Sequence, residues 1–429
     1  MMIIGVVLAV LLLFLLLSIP VAAALAALGL SMGSVYSPFP LYKALGEISW
    51  SAGTDFLLLA IPLFVLLGEI LLRAGIAERT YRALFYWLSW LPGGLMHANV
   101  ATSALFAATS GSSVATAATI TTVALPQARK FGYAESLFAG SIAAGGTLGI
   151  LIPPSINLIV YGFLTNTSIP RLFLAGIVPG ITLTILFMIG IVVICLINPK
   201  LSGQKVNSSW SQRLGSLKDL IPVLLIFVVV IGSIYAGFAT PTESAALGVL
   251  AALALAAAHR RLSLVMLRDV VEGTMRTTAM IMLILFAAYF LNFVLASIGL
   301  TQMLTDFVNN LGMSPMATML VIVALYMVLG FFIETLSLMV ITIPIVAPVV
   351  VGLGFDPVWF GVLLILLIEM ALITPPVGLN LYVVQGIRQS GSISEVMIGS
   401  IPFVGLILLM IFLLLLYPDL ALILARYVQ

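Results

Sequence analysis

Charge is scarce in this sequence. Only 7% of its 429 residues are Asp, Glu, Lys or Arg, while 62% are hydrophobic and the mean hydropathy is +1.28. A soluble domain carries about a quarter charged residues, so an ordinary soluble fold is excluded and a polytopic helical membrane protein remains. A net charge of +2 excludes the strongly basic surface that nucleic acid demands. One cysteine, Cys195 in "IGIVVICLIN", excludes an internal disulfide and reads as inert packing. The two histidines, His97 and His259, have no metal-ligand partner at i+3 or i+4. H-E-x-x-H, the P-loop and paired intramembrane aspartates are all missing, which argues against an enzyme and leaves ion gradients to drive any transport. The apolar N-terminal run has neither a basic n-region nor a small-residue cleavage site, so it is read as mature structure.

Apolar runs of spanning length are abundant. They lie near 2–35, 54–73, 134–163, 171–197, 220–237, 242–258, 274–297, 357–386 and 396–418. The first is read as two short helices meeting at Ser18 to Val21, because "IPVAAALAALG" parallels "TPTESAALGVL". The stretch 97–125 has a polar middle, "TSGSS", and halves of about 13 residues, roughly 20 Å of helix against a core of about 30 Å. It is expected to be a re-entrant hairpin. The stretch 315–351 repeats this design, with "FFIETLSL" at its middle and Pro344 and Pro348 in its second arm. Basic residues cluster at Arg73, Arg79, Arg82, Arg129 and Lys130, and again in the loops 200–218 and 260–268, marking the cytoplasmic side. Stretch 299–314 has no basic residue, so the second hairpin is expected to enter from the opposite face.

These features recur with a fixed offset. Pro20 pairs with Pro241 (241 − 20 = 221), Pro154 with Pro376 (222), and the amphipathic stretch from Gly75 with that from Gly299 (224). Equal order and opposite facing mark an inverted-topology repeat. The expected division is 1–219 and 220–429. The first half holds scaffold helices and an arm (1–96), hairpin 97–125, broken helix 134–163, helix 171–197 and loop 198–219. The second holds scaffold and arm (220–313), hairpin 315–351, broken helix 357–386 and helix 396–418.

Irregular backbone survives in lipid only where it is buried in protein or lines a cavity. "LIPPSIN" at 151–157 and "ITPPVGLN" at 373–380 are therefore read as matched discontinuous helices. Each proline pair removes two donors and frees carbonyls of the preceding turn, oxygen ligands of the kind a hard cation takes. The half-helix beyond presents an N-terminus suited to an anion. Asn157 and Asn380 stand about one turn in and serve as substrate donors or supports of the break. The first hairpin tip offers Thr109, Ser110, Ser112, Ser113 and Thr116 around Gly111; the second offers Glu334, Thr335 and Ser337. Such tip groups are candidates for ion or substrate contact. Glu334 is the leading functional carboxylate, against the alternative of a helix cap, while Glu369 either functions or braces the second break. Glu243 reads as a capping acid, Asp55 and Glu69 as interfacial partners, and Thr119, Thr121 and Thr122 as packing.

"LLAIPLFVLLGEILLRAGIAER", "FAATSGSSVATAATI", "GTLGILIPPSINLIVYG", "LAGIVPG", "GFATPTESAALG" and "LITPPVGLNLYVV" together resemble the large membrane subunit of the tripartite ATP-independent periplasmic (TRAP) transporters, over nearly the whole chain. The resemblance implies an all-α, elevator-type fold of the ion transporter superfamily in the bacterial inner membrane. It implies Na⁺-coupled import of an organic anion, often a carboxylate. It also implies a small four-helix membrane subunit and a soluble periplasmic binding protein as partners. One Na⁺ would sit between Ser110 and carbonyls around Gly149, Ile152 and Pro154, and a symmetric one near Thr335, Thr374, Pro375 and Pro376. Ser112, Ser113, Asn157, Glu334 and Asn380 are the substrate-site candidates. A stand-alone divalent-anion/Na⁺ symporter is the alternative, with a channel or non-transporting scaffold behind it.

Overall fold

The computed structural model describes residues 2–204, 208–310 and 312–427, apart from the side chains at 2, 4, 8, 12, 15, 16, 107–110, 301, 305, 308 and 309. The chain begins with two helices, α1 (Met2–Leu16) and α2 (Val21–Tyr36), parted as expected at Ser18 (φ 56°) and Pro20. A stretch with α3 (Leu45–Gly53) leads to α4 (Ala60–Arg73) and the amphipathic α5 (Ile76–Leu88). The first hairpin is α6 (Leu95–Ser110) and α7 (Ser113–Lys130), followed by the broken pair α8 (Glu135–Leu151) and α9 (Ile156–Thr165), and by α10 (Ile169–Ile197). Next come α11 (Trp210–Tyr235), α12 (Pro241–Ala258), α13 (Leu264–Ser297) and a second amphipathic helix, α14 (Leu300–Asn310). The second hairpin is α15 (Pro315–Gly330) and α16 (Thr335–Gly352), and the second broken pair α17 (Pro357–Ile373) and α18 (Leu379–Arg388). The chain closes with α19 (Ile393–Leu416) and α20 (Asp419–Ala425).

Seven of the described helices are long and apolar enough to cross a membrane, and the pair α8–α9, bent by 40° at its break, meets the same length and composition when taken together. The hairpin arms run to 16 and 18 residues in α6 and α7, longer than the apolar stretch that marked them. Helix continues there through Gln127, Arg129 and Lys130, where hydropathy no longer signals it. For the same reason α11 and α13 each start ten residues before the expected spans.

Local chemistry explains the boundaries. Thr240 and Glu243 form a reciprocal capping box over α12, with Pro241 at its first turn, so Glu243 is a cap. Gly75 (φ 72°) and Gly299 (φ 73°) turn the chain left-handed at the corresponding points before α5 and α14, a conformation that suits glycine. Thr119, Thr121 and Thr122 donate to carbonyls one turn back, as packing residues do. Glu69 pairs with Arg73, which also reaches Asp269 on α13, whereas Asp55 caps a short turn before α4.

Two helices are buried on every side. All residues from Leu137 to Leu151 in α8 and from Val358 to Ile373 in α17 are buried, and a helix apolar all round belongs in the centre of its fold. The elements around them pack reciprocally: α2 on α13 and α12 on α4, α7 on α18 and α16 on α9, α8 on α19 and α17 on α10. Where α8 crosses α19 the backbones touch. A Cβ on Gly140 would stand 2.1 Å from the Gly399 carbonyl oxygen, and one on Gly399 1.9 Å from that of Ser136. Small residues permit this approach. Nearby, the buried Arg388 donates to Glu135 at 2.7 Å and pairs with Glu395, while Arg129 reaches Glu135 at 3.3 Å, tying α7, α8, α18 and α19 at the basic end.

Candidate functional site

The first tip lies directly against the first break. Gly111 (φ 59°) turns the chain between α6 and α7, and Ser112 caps α7 by accepting from the Ala115 N–H at 3.4 Å. Ser113 is buried and donates to the Thr147 carbonyl on α8 at 3.3 Å. Gly149 is what lets the tip in: a Cβ there would sit 2.9 Å from the Ser112 carbonyl oxygen. On the other side, a Cβ on Gly111 would lie 3.5 Å from the Ile156 backbone nitrogen, at the start of α9.

Proline shapes the break itself. Ile152 leaves the helix in an extended conformation, Pro153 and Pro154 follow, and Ser155 restarts it. The carbonyls of Gly149 and Ile150 face prolines where their helical donors would be, because proline has no N–H. Ser155, fully buried, donates to the Ile150 carbonyl at 2.5 Å and accepts from the Leu158 N–H at 3.3 Å. It closes both ragged helix ends with one hydroxyl.

The second tip is more open. Glu334 caps α16: its Oε1 accepts from the Leu336 N–H at 3.1 Å and from the Thr335 hydroxyl at 2.8 Å, and its Oε2 accepts from the Ser337 N–H and hydroxyl, both at 3.0 Å. The carboxylate is exposed and borders a cavity of about 210 Å³ with Thr335, Ala371, Leu372, Val377, Gly378 and neighbouring apolar side chains. Glu334 is therefore a helix cap and a cavity-lining carboxylate at once. In this break Pro375 and Pro376 withhold donors from the carbonyls of Ala371 and Leu372, two residues that border the same cavity. The Thr374 hydroxyl donates to the Met370 carbonyl at 2.6 Å. Here α18 restarts at Gly378 (φ 43°), without a side-chain cap.

Sequence candidates thus gather in two places. Ser112, Ser113, Gly149, Ile152 and Pro154 surround the first tip and break, while Glu334, Thr335, Thr374, Pro375 and Pro376 belong to the second. The side chain of Ser110 lies outside the described residues. Asn380, fully buried, crosses between the two places by donating from Nδ2 to the Ala143 carbonyl of α8 at 3.2 Å. Asn157 is buried with its Nδ2 unpartnered among the described residues. Glu369 is fully buried on α17, and neither oxygen has a hydrogen-bond partner there. Ser155, Thr147, Ala371 and Leu372 were not singled out from the sequence. The two carbonyls were available from the rule that proline orphans the residue four before it. His97 and His259 each bond a backbone carbonyl, and among the described residues no cluster of three or more His, Cys, Asp or Glu is present.

Comparison with known proteins gives the same architecture a family. A profile described as "Tripartite ATP-independent periplasmic transporter, DctM component" matches residues 8–420. The chain is 34% identical to the C4-dicarboxylate TRAP transporter large permease protein DctM of Vibrio cholerae, over 82% of each chain. It is 35% identical to that organism's sialic acid TRAP transporter large permease protein SiaM, over 81% of this chain and 79% of the relative. Among solved structures it is similar in fold to the YdaH transporter of Alcanivorax borkumensis, with TM-score 0.63 at 14% identity over 94% of this chain and 98% of the other. Neisseria gonorrhoeae MtrF is similar at TM-score 0.60 and 14% identity, over 93% and 94%. The buried broken helices, the hairpins that meet them and this match along almost the whole sequence establish that the chain belongs to the tripartite ATP-independent periplasmic transporter family, as its DctM component, the large permease subunit.

Proposed function

We propose that this chain imports an organic anion by Na⁺-coupled elevator transport, receiving the anion from a periplasmic binding protein and working with a small four-helix membrane subunit. Its family membership fixes the coarser frame: a multi-pass subunit of a secondary transporter of organic acids in the bacterial inner membrane, and not an enzyme. Relatives are named for C4-dicarboxylate, sialic acid, isethionate and ectoine, all small polar solutes.

The observation that carries the reading is the pairing of each hairpin tip with a proline-freed turn of carbonyls. Oxygen donors without nitrogen or sulfur suit a hard cation. At the first pair, the donors that would hold Na⁺ are the Gly149 and Ile152 carbonyls with the tip around Ser110 and Ser112. At the second they are Thr335, Thr374 and the carbonyls of Ala371 and Leu372. Bound Na⁺ would supply positive charge beside the Glu334 carboxylate, which otherwise repels an anion. Asn157, Asn380, Ser112 and Ser113 would then orient the substrate through hydrogen bonds.

Reciprocal packing of α7 with α18 and of α16 with α9 supports a single moving body comprising 97–163 and 315–386. The scaffold would include 54–96 and 274–313. The Arg388 network and the Asn380 crossing bind the two halves of that body together.

Reconstitution in liposomes with an inward Na⁺ gradient tests the assignment. This chain alone is expected to show negligible uptake, addition of the small subunit alone to restore little, and all three components to transport. Robust saturable uptake by the chain alone contradicts the tripartite reading and favours the stand-alone symporter.

A further inference from the structure

At the end of the molecule away from the basic loops, the turn between α9 and α10 borders a cleft of about 890 Å³. Its walls come from different parts of the fold: Asn166 and Arg171 from that turn and the start of α10, Asp356 from the start of α17, Asn292 from α13 and Gln302 from α14. A second cavity of about 510 Å³ adjoins it through Asn166, Thr167 and Ser168. Neither belongs to the tip and break pairs.

Among the described residues, Arg171 is the only cation in the lining of either cavity. It stands at the face where the residue distribution disfavours basic side chains. No ion pair joins it to any described residue, and its Nε is buried without a hydrogen-bond partner. The carboxylates in the two linings are already engaged: Asp356 Oδ1 caps α17 by accepting from the Val358 N–H at 2.7 Å and the Trp359 N–H at 3.3 Å, and Asp55 Oδ1 accepts from the Leu57 N–H at 2.8 Å. A buried, unsatisfied guanidinium donor is costly until an acceptor reaches it. Planar, forked donors match a carboxylate or sulfonate in two-point contact. The amides of Asn166, Asn292 and Gln302 add neutral donors and acceptors around the same space.

We propose that this cleft is an outer binding site for the organic anion, anchored by Arg171, which the anion occupies before it reaches the tips and breaks. The proposal rests on the organic-anion reading above. A small anion fits better than an acidic protein surface, because Arg171 lines a concave space of about 890 Å³ whose other walls come from α13, α14, α16 and α17, and a flat partner does not enter it.

Labelling tests this without relying on uptake. Gln302 is exposed in the wall, and the native Cys195 is buried, so the Gln302→Cys chain itself offers one accessible thiol to a neutral maleimide, and labelling is read on this chain's own band after the complex is separated. Succinate, sialic acid and isethionate serve as probes. At least one should slow labelling about fivefold, the shielding expected at roughly four times its dissociation constant. Adding Arg171→Gln should remove the effect, and Arg171→Lys should keep part of it. Equal shielding in the Arg171→Gln background, or no shielding by any of the three, overturns the proposal. Uptake measured on the same preparation reports separately on the transport reading.

Discussion

The first break reads Pro-Pro-Ser-Ile-Asn and the second Pro-Pro-Val-Gly-Leu-Asn, so the two differ by one inserted residue. In the first, Ser155 is buried and caps the new helix while satisfying the old one. In the second, the extra residue brings Gly378 to the cap position in a left-handed conformation, with no side chain to close the helix end. The tips differ in the same sense. Ser112 and Ser113, at the start of α7, pack against α8, whereas Glu334 and Thr335 border open space. The first tip and break are closed by buried hydroxyls, whereas the second pair borders a cavity. Two breaks built on the same proline pair thus differ in closure through the residue at the cap, Ser155 in one and Gly378 in the other.

Substitutions in the two breaks should therefore fail differently. The largest effect is expected from Gly149→Leu, because the first Cβ alone would collide with the Ser112 carbonyl at 2.9 Å. Loss of a folded, monodisperse complex on size-exclusion chromatography is the expected result, and normal assembly with normal uptake would refute the close contact. Ser155→Ala removes a buried hydroxyl that serves two helix ends, a loss of about 2 kcal/mol. A lower melting temperature should result, with Na⁺ affinity reduced as well. Gly378→Ala places a side chain at positive φ, costing about 1–2 kcal/mol. Its melting temperature should fall by no more than that of Ser155→Ala, while uptake should suffer more, because the new Cβ would stand 2.6 Å from Leu381 Cδ1 beside the open cavity. Glu334→Gln keeps a capping oxygen but removes the charge, so the half-saturating Na⁺ concentration should rise about tenfold, equivalent to roughly 1.4 kcal/mol. Thr374→Ala removes one hydroxyl that already bonds the Met370 carbonyl. It should shift Na⁺ dependence about threefold, the effect of one modest ligand in a set.

Much of this was legible in the sequence because a membrane magnifies certain signals. Proline pairs, a polar patch inside an apolar run and glycines at matched offsets have few explanations in lipid, so the breaks, hairpins and amphipathic arms were placed closely. Helix ends outside the apolar core were not, since Arg129 or Trp210 continues a helix without altering hydropathy in a diagnostic way. The Thr240 and Glu243 pair announced its cap directly, and so that acid was assigned correctly. Glu334 did not announce its cap as clearly, because the same position at a hairpin tip serves capping and cavity lining together. The contact of Asn380 with Ala143, 237 residues away in sequence, is a product of tertiary packing that no local pattern carries.

The central claim, that two unequal tip and break pairs couple Na⁺ to anion import, is tested most directly by initial uptake rate against external Na⁺ in proteoliposomes containing the complete complex, with and without an inside-negative potential. The account predicts no uptake when choline replaces Na⁺, a cooperative rise with Na⁺ whose midpoint moves about tenfold higher in Glu334→Gln, and, where two or more Na⁺ accompany a monoanion, acceleration by the potential, which is worth about 2.3 kcal/mol per charge at about 100 mV. Uptake that continues at the same rate in choline would contradict it.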